Sequence, residues 1–245
     1  MGTLKMRDGS GKWLPSQWQK LMGLTLQAVD SVTALNGPSP VWTFGGGTAL
    51  AIDLGHRVSY DIDAFMDSAR IIQQLVPVNN SVTRSICWNP ETDRPDYQYP
   101  GHYLKLNIAG AGEIDFLSAS PLLTNATLPF AFGGRTISRE RPSEILAKKI
   151  YYRGSTFKAR DVFDLAGTYL AMRSELVTAA ASPFLTSEIY GRVRLRIQSR
   201  IAAFQSEMNE EINPTETGQD YIGNACSLAL EALDLMEGWQ FRTDA

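Results

Sequence analysis

Apolar residues recur at helical spacing at Leu21, Leu24, Leu26, Val29, Val32 and Leu35. The run follows Ser16, a residue suited to cap a helix, and stops at Asn36-Gly37, so an amphipathic helix is predicted between them. The pattern then shortens. Val41 to Phe44 reads as a buried strand, Gly45-Gly46-Gly47 interrupts it, and Thr48 to Leu54 reads as a short helix. Ser59 to Phe65 is a predicted strand. Further strands are predicted at Val82 to Trp88, Tyr103 to Ala109 and Glu113 to Ala119, the last two joined by a hairpin-like Gly110-Ala111-Gly112. Beyond Pro142 the strand patterns disappear. Ser143 to Tyr152, Ala159 to Arg173, Thr186 to Asn209 and Tyr221 to Trp239 suit helices, with a loop at Ile212 to Gly218. The expected fold class is α/β (α+β), with a mixed-sheet domain over residues 1–140 and a helical domain over 141–245.

Composition narrows the setting. The 245 residues, 44% hydrophobic, can bury a substantial core. No apolar run approaches the roughly 18 residues of a membrane span, and Met1 to Lys12 has no apolar signal core, so a cytoplasmic protein without a membrane partner is expected. Cys87 and Cys226 lack the spacing of a zinc site or a disulfide framework and read as core thiols. The formal charge of -3 excludes the whole-protein basic field of a dedicated nucleic-acid binder. Basic residues are concentrated locally, with seven between Arg139 and Arg160 against Glu140 and Glu144. A second group, Arg192, Arg194, Arg196 and Arg200, reads as a solvated helix face.

The candidate chemistry lies in Ser59-Tyr60-Asp61-Ile62-Asp63-Ala64-Phe65. Strand side chains alternate, so Asp61 and Asp63 project from one face, where their charges repel unless a cation sits between them. Hard carboxylate oxygens favour Mg2+ or Mn2+ over zinc. Asp115, flanked by Ile114 and Phe116, is the natural third carboxylate, with Glu113 in reserve. Upstream, the glycines 45–47 let backbone amides approach a phosphate just before a helix N-terminus. An isolated Asp-x-Asp more often decorates an exposed strand. The order of strand, glycine turn, short helix and Asp-x-Asp strand is far more specific.

At these residues the chain resembles the polymerase-beta-type nucleotidyltransferase superfamily, and within it the AbiEii-like toxin family of abortive-infection and toxin-antitoxin systems. Phe44 to Ala51, followed by Gly55-His56-Arg57-Val58-Ser59-Tyr60-Asp61-Ile62-Asp63, is similar to that family's GGTAL and HRxSxDID signature. Glu144 to Ile150 and Arg160-Asp161-Val162-Phe163-Asp164-Leu165 are similar to its lysine and RDxxDL motifs. The resemblance covers about residues 40–165. It implies a polymerase-beta-like fold, a Mg2+ (or Mn2+) ion on Asp61 and Asp63 that bridges the NTP, and a second metal near the attacking hydroxyl that Asp115 helps to hold. It also implies an NTP contacted by Gly46, Gly47 and Thr48, with Arg57 and Ser59 at the mouth of the strand. An RNA acceptor such as a tRNA 3' end, growth inhibition and a cognate antitoxin are implied as well.

On the lysine helix, successive side chains point about 100° apart, so only one of Lys148 and Lys149 is expected to face a cleft. Lys149 shares a face with Ile145 and is the expected catalytic lysine, while Lys148 aligns with Glu144 on a solvent-exposed stripe. Asp161 and Asp164 share a helix face, and one of them, Asp161 by choice, is expected to orient Lys149 or a substrate group. For Arg57 the alternative is a surface pair with Asp53, and His56 reads as a turn histidine, not a metal ligand. The acceptor stays open between RNA, a small molecule and a protein hydroxyl. A metal-dependent nuclease, which leaves the glycine turn unexplained, and a catalytically silent binding module are the rival readings.

Overall fold

A computed structural model describes residues 6–36 and 39–243. Gly37, half of the expected helix stop, and residues 1–5 of the amino-terminal segment lie outside the described residues. In chain order the elements begin with α1 (Trp18–Asn36), β1 (Trp42–Gly45), α2 (Gly46–Leu54), β2 (Arg57–Val58), β3 (Ile62–Met66), α3 (Ala69–Leu75) and α4 (Ser81–Ile86). Strands β4 (Trp88–Asn89), β5 (Arg94–Pro95), β6 (Tyr97–Gln98), β7 (Tyr103–Ile108), β8 (Gly112–Ser118), β9 (Thr127–Phe132) and β10 (Arg135–Glu140) follow. Helices then dominate: α5 (Pro142–Arg153), α6 (Ala159–Ala171), α7 (Arg173–Ala180), α8 (Ser187–Gln198) and α9 (Ile201–Glu211). After β11 (Asn213–Pro214) come α10 (Glu216–Gln219) and α11 (Ala225–Thr243). No described helix is long and apolar enough to cross a membrane.

The chain divides into two compact units. The first comprises Met1–Thr48, Ser59–Ser120 and Leu128–Arg139; the second comprises Ala49–Val58, Pro121–Thr127 and Glu140–Ala245. The second unit therefore draws in two segments from the part of the chain expected to form the first domain.

The first unit is built on a mixed seven-stranded sheet in the order β6-β7-β8-β3-β1-β10-β9. Strands β3 and β8 run parallel, whereas β1 is antiparallel to β3 and β7 is antiparallel to β8. Alternation sorts the two faces. Ile62, Ala64 and Met66 of β3, with Ile114 and Phe116 of β8, are buried, and α1 and α3 pack on these strands. Full burial of each large apolar side chain contributes on the order of 1.5–3 kcal/mol, which fixes which face points inward. The intervening residues of β3, β7 and β8 are left half-buried on the other face.

Two expectations about the first half fail. The strand predicted at Val82 to Trp88 is instead α4, because Asn80 caps a helix there. Its side-chain oxygen accepts from the Val82 and Thr83 amides at 3.0 and 3.1 Å, and its amide nitrogen donates to Ser31 Oγ at 2.8 Å. A buried cap overrides the β-branched composition of the segment. Strands β9 and β10 were not anticipated. Gly133 and Gly134 connect them, both with positive φ, the backbone that a tight two-residue hairpin requires.

In the second unit α11 packs along α6, α7 and α8, burying Val162, Phe163, Leu165 and Ala166 with Ala229, Ala232, Leu233 and Met236. The expected helix over 186–209 is two helices, since Arg200 leaves the helical region at φ -132, ψ 18 and starts α9 as its cap. The expected loop around Asn213-Pro214 holds a short strand, β11, antiparallel to β2. The Thr215 hydroxyl donates to the Gly55 carbonyl at 2.6 Å beside that pairing.

Candidate active site

Asp61, just before β3, and Asp63 within it share the half-buried face of the sheet, while their neighbours Tyr60, Ile62 and Ala64 are buried. In register, Asp63 lies opposite Asp115 of β8 on one side and Gly45 of β1 on the other. Neighbouring strands are about 4.8 Å apart, so Asp63 and Asp115 stand side by side. The pairing of two carboxylates expected from the sequence is therefore made across strands as well as along one. Asp61 Oδ1 accepts the Glu113 backbone amide at 3.2 Å.

The glycine turn serves this face directly. Gly46 has φ +67, and a Cβ at that position would overlap the carboxylate of Asp63. Absence of a side chain thus admits the Asp63 carboxylate against the first turn of α2, where the helix N-terminus favours negative charge. Gly47 follows in the same turn. Thr48 is buried, and its hydroxyl donates to the Asp61 carbonyl and lies 2.8 Å from Ser59 Oγ. Thr48 and Ser59 therefore tie the start of α2 to the segment entering β3.

A cation not anticipated from the sequence, Lys105 of β7, completes the group. Lys105 lies opposite Asp115 in register, and its ammonium contacts Asp115 at 3.1 Å as well as Glu113. Burial and the Asp63 charge raise the Asp115 carboxyl to about 7, although Lys105 opposes the shift. Attraction by Asp115 and Glu113 outweighs burial at Lys105 and raises its ammonium to about 12. A signal for Lys105 did exist: the hairpin about Gly110-Ala111-Gly112 sets the register that brings it opposite Asp115.

The donor set suits a hard divalent cation. It is all oxygen, gathered on one sheet face, and the buried Asp115 Oδ1 has no hydrogen-bond partner although Lys105 stands beside it. Among the described residues, no three acidic, imidazole or thiol groups converge at metal-ligand spacing as they stand. Lys105 engages Glu113 and Asp115, and Asp61 is engaged by a backbone amide.

The second unit holds the other expected residues in a buried ion network. Lys149 Nζ donates to Asp161 Oδ1 at 2.7 Å and Asp164 Oδ2 at 2.8 Å. Arg153 pairs with Asp161, whose second oxygen accepts the Lys158 amide at 3.0 Å and caps α6. Arg57 grips Asp164 through Nε at 2.7 Å and Nη2 at 3.1 Å. His56 Nε2 lies 2.7 Å from Asp164 Oδ1, and its ring stacks on Phe163. Burial alone pushes both carboxyls upward, but Lys149 with Arg153 at Asp161, and Arg57 with Lys149 at Asp164, hold them well below the usual range. Burial pushes His56 down against the pull of Asp164.

Several sequence expectations change here. Arg57 is a buried partner of Asp164, which rules out the alternative of a surface arginine. His56, in the connection between α2 and β2, is in addition a buried member of the network. Lys148 does align with Glu144, at 3.3 Å, but it is buried and also meets Glu140 at 2.6 Å, so there is no solvent-exposed stripe. Glu144 in turn accepts the Leu122 and Leu123 amides, which anchor the 121–127 segment to α5. Much of the basic stretch 139–160 is thus neutralised internally. The later arginines, expected to form a solvated helix face, are instead engaged: Arg192 with Glu188 and Arg200 with Glu207 close in sequence, Arg194 with Asp234 and Glu237 of α11, and Arg196 with the Phe157 carbonyl.

A family model described as nucleotidyl transferase AbiEii toxin, type IV toxin-antitoxin system, matches residues 30–216. Among curated proteins none matches the chain in sequence. Among the solved structures that align along most of its length are the following two. One, a nucleotidyltransferase by its description, is from H. pylori and has 12% identity and a TM-score of 0.45, with 94% of this chain and 98% of that chain covered. The other is the nucleotidyltransferase toxin MenT4 of Mycobacterium tuberculosis, with 14% identity and a TM-score of 0.41, covering 91% and 93%.

Proposed function

For a chain that belongs to the AbiEii nucleotidyltransferase toxin family, we propose transfer of a nucleoside monophosphate from an NTP to RNA, such as a tRNA 3' end. The reading includes dependence on Mg2+ or Mn2+ and neutralisation by a cognate antitoxin. The observation that carries it is the Asp63 carboxylate, set in register with Asp115 and admitted against the start of α2 by Gly46. A nuclease has no need of that glycine turn.

In this reading Asp61, Asp63 and Asp115 would hold divalent metal, which would supply positive charge against the triphosphate and the oxygens of the reacting phosphoryl group. The amides of Gly46 and Gly47 face the phosphates from the helix N-terminus. Thr48 and Ser59 keep that turn and the carboxylate strand in fixed relation. The acceptor hydroxyl oxygen forms a bond to the α-phosphorus and gives up its proton to solvent, as the bond from the α-phosphorus to the bridging oxygen breaks and its electron pair leaves with pyrophosphate. Lys149 and Asp161 enter as positioning residues, because their charges are already matched inside the network. Arg57, gripped by Asp164, positions the Gly55–Ser59 segment in the same way.

Incubation of the protein with each labelled NTP, Mg2+ and total RNA tests the reading. Label in RNA, lost in Asp63→Asn, is expected. Label in a protein or small molecule would move the acceptor to another class, and shortened RNA would favour the nuclease.

A further inference from the structure

The face that carries the carboxylates also carries its own counter-cation. Lys105 reaches across from β7 to Glu113 and Asp115, with one-fifth of its side chain exposed. It is the cross-strand neighbour of Asp115 on the side away from Asp63, so Asp115 stands between an acid and a base on adjacent strands. Glu113 lies on the same strand face two residues before Asp115 and contacts the same ammonium. Two of the four carboxylates on this face are therefore engaged by a side-chain cation.

We propose that Lys105 is a positioning residue that competes with the divalent cation for Asp115, partly offsetting the charge of the carboxylate face when metal is absent and lowering its affinity for metal. The inference rests on the metal-site reading given above. Its physical basis is charge balance. Four carboxylates, Asp61, Asp63, Glu113 and Asp115, crowd one sheet face, and like charges on adjacent strands repel. An ammonium in contact with two of them relieves that repulsion without metal. The same ammonium repels a divalent ion that approaches Asp115, and the ion must displace it or share the carboxylate with it. Glu113 keeps the displaced ammonium nearby, so the exchange is reversible.

Mn2+ titration calorimetry on the full chain, with Lys105→Met, Lys105→Arg and Asp63→Asn beside the unmodified protein, tests the proposal. Removing one unit charge at this distance is expected to tighten Mn2+ binding about tenfold in Lys105→Met, whereas Lys105→Arg stays near the unmodified value. In EDTA, Lys105→Met is expected to melt below the unmodified protein and to gain more from added Mn2+. A second measurement needs no variant: Mn2+ should raise the acetylation rate of Lys105, read by mass spectrometry, as the ammonium leaves its carboxylates. Unchanged or weaker Mn2+ binding in folded Lys105→Met, or Lys105 labelling indifferent to Mn2+, overturns the proposal. In that case Mn2+ binding that Asp63→Asn abolishes leaves the metal-site reading standing, while absence of Mn2+ binding to the unmodified protein removes both.

Discussion

At Gly46 two demands meet in one residue. Its φ of +67 is strained for any residue with a side chain, and the volume a methyl group would fill is held by the Asp63 carboxylate. Gly46→Ala is therefore expected to lower stability by more than about 1 kcal/mol and to abolish transfer. Gly23, inside α1 with open space around its missing Cβ, provides the contrast. Gly23→Ala should raise stability by about 0.5–1 kcal/mol and leave transfer unchanged. Thermal melts and transfer assays of the two proteins check the pair; equal effects would mean that Gly46 has no special contact. Asp63→Asn keeps the side-chain shape but removes one of two adjacent charges. It should lose transfer yet melt in EDTA no lower than the unmodified protein, and a lower melting point would show that the carboxylate stabilises the fold without metal.

Helices α5 and α6 are joined by charge as well as by apolar packing. Lys149 comes from one, and both carboxylates it contacts come from the other. Because Asp161 and Asp164 are fully buried, Lys149→Met strands two charges that Arg57 and Arg153 balance only in part. A loss of about 3–5 kcal/mol is expected by denaturant unfolding at neutral pH. Loss below about 1 kcal/mol would mean that the arginines suffice. The pH dependence has a definite sign. Both carboxyls are depressed in the folded chain, so their contribution is fully present above the unfolded carboxylate value, about 3.9, and is lost as pH falls below it. Melts between pH 7 and pH 3 should show a steep fall only below about pH 4. A decline already complete by pH 5 would point to groups with higher values.

For the molecule as a whole, a formal charge of -3 and a sheet face bearing four carboxylates both oppose a triphosphate. The NTP should therefore bind weakly in EDTA and measurably tighter with Mg2+ or Mn2+. Calorimetry in both conditions decides this, and equal affinity would remove the metal from the proposed site. Melting temperature should likewise rise with NTP and metal together by more than with either alone, since only the folded chain binds them.

Local chemistry made much of this protein legible from its residues. Asp61 and Asp63 were bound to share a face once their segment was a strand, because strand alternation depends on nothing distant. Residues 45–47 broke the chain where they do because glycine tolerates backbone that other residues do not, and the hairpin at 110–112 set the β7–β8 register. The Val82 segment misled because its β-branched residues favour a strand, while the Asn80 cap that makes it a helix is itself held in place by Ser31, far away in the chain. Tertiary structure alone decided the partners of the charges. Lys148 looked solvated, His56 looked like a turn residue and Arg57 stood between the triphosphate and a surface pair, since local spacing says which residues are adjacent on a surface but not what is laid over it. Asp164 lies more than a hundred residues from Arg57 and His56, yet it is buried against both. Ion-pair choice in a buried network follows from which groups lose water together, and only the folded chain determines that.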